Sequence, residues 1–77
     1  MEQIETKYIT FKFVKQKPKT QVWHIISNSS QFCLGVIEWY PQWRQYCFFP
    51  TAETVFNFSC LVTISDFIGK LTQQKGL

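Results

Sequence analysis

Apolar and polar side chains alternate from Ile9 to Phe13, with Thr10 and Lys12 between Ile9, Phe11 and Phe13. A period of two sends successive residues to opposite faces of a strand, so the pattern predicts a half-buried strand at residues 8–15. Lys15 to Lys19 interrupts it, and Pro18 has no N–H to give to a ladder. Residues 21–27 are rich in β-branched and aromatic side chains and run into Ser27-Asn28-Ser29-Ser30, a second strand and its turn. A third strand is predicted at 32–40, a turn at Pro41-Gln42-Trp43, and a fourth strand at 44–49 that stops at Pro50. Connections this short join antiparallel neighbours and imply a meander.

The period then lengthens. Cys60, Leu61, Ile64, Phe67, Ile68 and Leu71 recur at steps of three and four, which gathers them on one stripe of a helix at 59–73. Ser59 offers an N-cap, and Thr63, Asp66, Lys70 and Gln73 form the polar side. Gly69 lies inside the helix at a cost of about 1 kcal/mol relative to Ala, which predicts a close neighbour there. Gly76 belongs to a tail expected to fray. The expected fold is α+β, a four-stranded antiparallel meander followed by one helix on one face (ββββα), in a single domain over residues 1–77.

The fourth strand decides how the rings are shared out. With the turn centred on Gln42, Tyr40 faces Arg44, Glu38 faces Tyr46 and Val36 faces Phe48, while Ile37 meets Cys47 and a Phe49 ring lies over Gly35. Either face is then largely apolar, and slipping by one residue swaps the faces without changing that. One helix about 10 Å wide cannot cover both sides of four strands spaced about 4.8 Å apart. The second face must be closed by the N-terminal strand curling over, by a second copy as a homodimer, or by another partner. Trp39, Tyr40, Trp43, Arg44 and Tyr46, in the stretch EWYPQWRQY, are the candidate binding residues, because Trp, Tyr and Arg are enriched at interface hot spots. For Arg44 the competing use is an ion pair with Glu38, or stacking on Trp43 or Tyr40.

Composition sharpens this reading. A chain of 77 residues has a thin core, and its 14 aromatic rings are an economical way to bury area. The net charge of +3 is local: residues 1–20 hold five lysines against Glu2 and Glu5, and the rest balances. Lys12, Lys15, Lys17 and Lys19 could follow a phosphate backbone beside stacking rings, or could simply guard an edge strand. His24, Cys33, Cys47 and Cys60 are single and widely spaced, without the paired spacing of a zinc site, and no metal or other cofactor is expected. One His, three Gly and carboxylates on separate elements give no nucleophile–base pair or phosphate loop, so an enzyme is not expected. The N-terminus lacks a basic start and an apolar run, and the longest apolar run, Phe32 to Ile37, is far below the roughly 20 residues of a membrane helix. A cytoplasmic protein, without membrane contact and with reduced thiols, is the expectation.

Leu34-Gly35, Glu38-Trp39, Trp43-Arg44, Tyr46, Phe48, Pro50, Phe56, Cys60-Leu61, Ile64 and Phe67-Ile68 together resemble a pattern in short uncharacterised proteins encoded by bacteriophages, prophages and related bacterial mobile elements. The resemblance covers about half the chain and implies a setting rather than a mechanism. Small phage proteins of this type often bind host enzymes stoichiometrically, including as inhibitors of restriction or CRISPR systems. The expected function is therefore a non-catalytic accessory protein that binds a host protein or complex. Its alternative is direct binding of single-stranded nucleic acid.

Overall fold

A computed structural model describes residues 3–74; Gly76 and its tail lie outside them. The chain forms β1 (Gln3–Glu5), β2 (Ile9–Gln16), β3 (Gln21–Ser27), β4 (Cys33–Tyr40), β5 (Gln45–Pro50) and α1 (Phe58–Gln74). All five strands join one antiparallel sheet in chain order. Among the described residues the fold is thus α+β with five strands, not four. The additional strand, β1, is only three residues long and gives no periodicity to read. It extends the sheet by pairing Ile4 with Phe11 and Gln3 with Lys12. The N-terminal strand therefore does not curl over the second face.

Turn chemistry sets the connections. Lys17 N–H donates to the Thr20 carbonyl at 2.8 Å, closing the tight β2–β3 turn around Pro18. Between β3 and β4, Ser27 N–H donates to the Phe32 carbonyl at 2.8 Å, and Gln31 takes a φ of 63°. Val14 is the extra residue of a bulge in β2. Leu34 is the extra residue in β4, where Ile25 pairs with Gly35 but Ile26 pairs with Cys33. That bulge leaves Leu34 half-buried and packed on the core.

The helix stripe and one sheet face make that core. Ile64, Phe67 and Leu71 of α1 bury against Ile9, Phe11, Trp23, Ile25, Ile37 and Tyr46. Phe67 stacks on Phe11 at 4.1 Å between centroids and meets the edge of Trp23 at 4.9 Å. Burial of each such side chain stabilises by about 1.5–3 kcal/mol, and ring pairs add about 0.5–1.5 kcal/mol. Trp23 Nε1–H donates to Gln21 Oε1 at 2.9 Å, and the Tyr46 hydroxyl accepts from Gln21 N–H at 3.0 Å, so both polar tips are satisfied where the rings are buried.

Three local expectations are corrected. Asn57, not Ser59, caps α1: its Oδ1 accepts from Cys60 N–H at 2.8 Å, the bond that an N-cap makes to the third helical residue. Gly69 has nothing within 4 Å of where a Cβ would stand, so it does not mark a close approach. Leu61 belongs to the sequence stripe but is 49% exposed, because it lies at the edge of the buried arc.

Candidate functional site

The β4–β5 turn determines which rings reach solvent. It contains Pro41, Gln42, Trp43 and Arg44, one residue more than expected, with Arg44 in the left-handed region at φ 55°. Arg44 N–H donates to the Tyr40 carbonyl at 2.9 Å. The pairs are consequently Tyr40 with Gln45, Trp39 with Tyr46, Glu38 with Cys47, Ile37 with Phe48, Val36 with Phe49 and Gly35 with Pro50. This is one residue away from the expected register, and since side chains alternate, β5 is turned over relative to β4. It is Phe48, not Phe49, whose ring crowds Gly35.

The expected binding residues are thereby divided. Trp39 and Tyr46 lie on the helix side, edge to face at 5.5 Å, with Tyr46 buried and Trp39 half-buried against the core. Tyr40 lies on the open side, half-buried, and touches Trp43 at 5.2 Å and Phe49 at 5.9 Å, both edge to face. Trp43 is 66% exposed and Phe49 40%. The open-face cluster is Tyr40–Trp43–Phe49, with exposed Arg44 at its turn. Phe49 was absent from the sequence candidates because only the correct register brings it beside Tyr40.

The lysines are divided as well. Lys12 stands on the open face in a row running Lys12, His24, Val36, Phe49 across β2 to β5. Lys15 pairs with Val22 on the same face. Three strand spacings, about 14 Å, separate this basic side from the ring cluster. Lys17 instead leans to Glu38 at 3.8 Å, so the ion pair of Glu38 is with Lys17 rather than with Arg44. Lys19 is exposed at the β2–β3 turn. The fold thus places Lys12, Lys15 and the rings on one face, with Glu38 between them.

Other features complete the surface. Cys33 and Cys47 belong to strands and Cys60 to the helix, and among the described residues no group of three or more His, Cys, Asp and Glu could hold a metal ion. No described helix is long and apolar enough to cross a membrane. Val55 and Phe58 are 90% and 81% exposed, and Phe58, Leu61 and Val62, at steps of three and four, form an apolar patch at the start of α1. The sequence stripe did not signal it, because Phe58 and Val62 fall outside that stripe. An open groove of about 770 Å³ lies between α1 and the β1–β2 side, lined by Ile4, Phe11, Trp23, Asp66, Phe67 and Lys70 among others.

The chain is similar over its length to an uncharacterised 9.3 kDa protein of Acholeplasma phage L2, 29% identical over 76 residues, which is 97% of each chain. No protein-family model matches it. No solved structure matches it either.

Proposed function

We propose that this protein is a non-catalytic accessory protein of phage or mobile-element type that binds a host protein through the Tyr40–Trp43–Phe49 cluster and Arg44. One observation carries the reading: the helix covers one sheet face, and the other holds a cluster whose outermost ring, Trp43, is 66% exposed. Exposure of a tryptophan costs a monomer apolar surface in water, whereas in an interface the same ring is a typical anchor, especially beside Arg. Full-length likeness to a phage protein supports the setting. Within this proposal, the binding acts as stoichiometric inhibition of a host defence or nucleic-acid-processing enzyme in the host cytoplasm.

The test is paired capture from host extract with the wild-type chain and with Trp43→Ala/Arg44→Ala. A host protein held in a fixed ratio by the wild type and lost by a folded double variant supports the reading. Identical capture by both would refute this surface.

A second reading, binding of single-stranded nucleic acid, is favoured by Lys12 and Lys15 sharing the face with the rings. Rings stack bases at about 1–3 kcal/mol each while cations follow the backbone. Titrating a mixed-sequence oligonucleotide against tryptophan fluorescence separates the two: salt-sensitive quenching favours nucleic acid, and none favours protein.

A further inference from the structure

Among the described residues the sheet ends at β5, whose far side has no strand neighbour. Thr51 N–H donates to the Leu34 carbonyl at 2.9 Å, which fixes the alternation: Gln45, Cys47 and Phe49 direct their backbone groups at β4, and Tyr46 and Phe48 direct theirs outward. Pro50 has no N–H, and that of Arg44 is already given to Tyr40. The free edge therefore offers two N–H donors, those of Tyr46 and Phe48.

Exposed edges are ordinarily blunted by charge, an internal proline, a bulge or brevity. The opposite edge follows that rule, since β1 has three residues and ends in Glu5. Gln45–Pro50 does not: it is six residues long and uncharged, with no bulge in its pairing to β4. Its ends are bounded by the Arg44 turn and Pro50, so the strand that fits it is as long as β5 itself.

We propose that two copies of this chain pair antiparallel through their β5 edges about a two-fold axis at Cys47, joining two five-stranded sheets into one. In this register Tyr46 of each copy faces Phe48 of the other, and every outward N–H and C=O of these two residues is paired. A register centred on Phe48 instead sets Tyr46 opposite Pro50, which cannot donate to the Tyr46 carbonyl. Across the axis Gln45 faces Phe49 and Cys47 faces Cys47, so no like charges oppose. The pairing gathers both copies' Tyr40–Trp43–Phe49 clusters along one face. It stands apart from the partner reading, since changing the Trp43 and Arg44 side chains leaves the β5 backbone intact.

Cys47 supplies the test. Directly opposed residues that do not exchange hydrogen bonds have Cα atoms about 4.5 Å apart, inside the range of about 4.4–6.8 Å that a disulfide spans. The full chain should sediment at twice its 9.2 kDa at high micromolar concentration. A variant retaining only Cys47 (Cys33→Ser/Cys60→Ser) should cross-link under mild oxidant, and one retaining only Cys33 should not. Cys47→Lys should sediment as a monomer, because it opposes like charges across the axis. That lysine lies beside Glu38 in its own chain, which favours retention of the fold. A monomer at every concentration would overturn the proposal. So would a dimer that survives Cys47→Lys and yields no Cys47 cross-link.

Discussion

Gly35 tests the register where it is tightest. A Cβ built on it runs into Phe48 Cε1 and lies 3.1 Å from Phe48 Cζ and 2.9 Å from the Phe49 carbonyl oxygen. Carbon contacts are comfortable at about 3.5–4.0 Å. The ring would have to move by about 1 Å, yet it already leans edge-on against Phe56 at 5.2 Å and packs on the core. Overpacking of this kind costs about 1–3 kcal/mol, offset by about 0.4–1 kcal/mol because Ala restricts the unfolded chain more than Gly does. We expect Gly35→Ala to destabilise by about 1–2 kcal/mol. For a chain of this length total stability is about 4–11 kcal/mol, and each kcal/mol moves Tm by about 4–8 °C. Urea melts of the wild type, Gly35→Ala, Phe48→Leu and the double variant measure the coupling. If Phe48 is the obstacle, Gly35→Ala should cost at least about 0.5 kcal/mol less in the Phe48→Leu background. Equal costs in both backgrounds, or a Gly35→Ala variant as stable as the wild type, would refute the contact.

Further outcomes follow from single contacts. Gly69→Ala should stabilise by about 0.8–1 kcal/mol, because an exposed helix position with no neighbour gains the full propensity difference; thermal melts decide this. Asn57→Ala should cost about 1 kcal/mol and Ser59→Ala no more than about 0.5 kcal/mol, in the same melts, if Asn57 is the cap. Trp43→Ala should change stability by no more than about 0.5 kcal/mol while Trp23→Ala costs about 3–5 kcal/mol, measured by urea titration. If the nucleic-acid reading holds through Lys12 and Lys15, oligonucleotide affinity should fall about sevenfold from 50 to 200 mM salt, and Lys12→Ala should flatten that slope.

The sheet was legible because its residues alternate, but the allocation of its rings was not, because that depends on one residue in a turn. Ile9, Phe11 and Phe13 declare their strand by period alone, and Ile64, Phe67 and Leu71 declare the helix face, since burial selects residues at the spacing of the element. β1 escapes this logic: three residues are too few to show a period, and pairing with β2 rather than pattern makes them a strand. The turn escapes it for another reason. Nothing in Pro41-Gln42-Trp43-Arg44 requires a positive φ at an arginine, yet Arg44 adopts it and the loop takes four residues. That added residue reverses the parity of β5, sending Tyr46 and Phe48 to the core and Phe49 to Tyr40 and Trp43. Sequence could identify EWYPQWRQY as too aromatic to serve one purpose. The backbone of Arg44 is what separates the rings that hold the fold together from those left exposed on the other face.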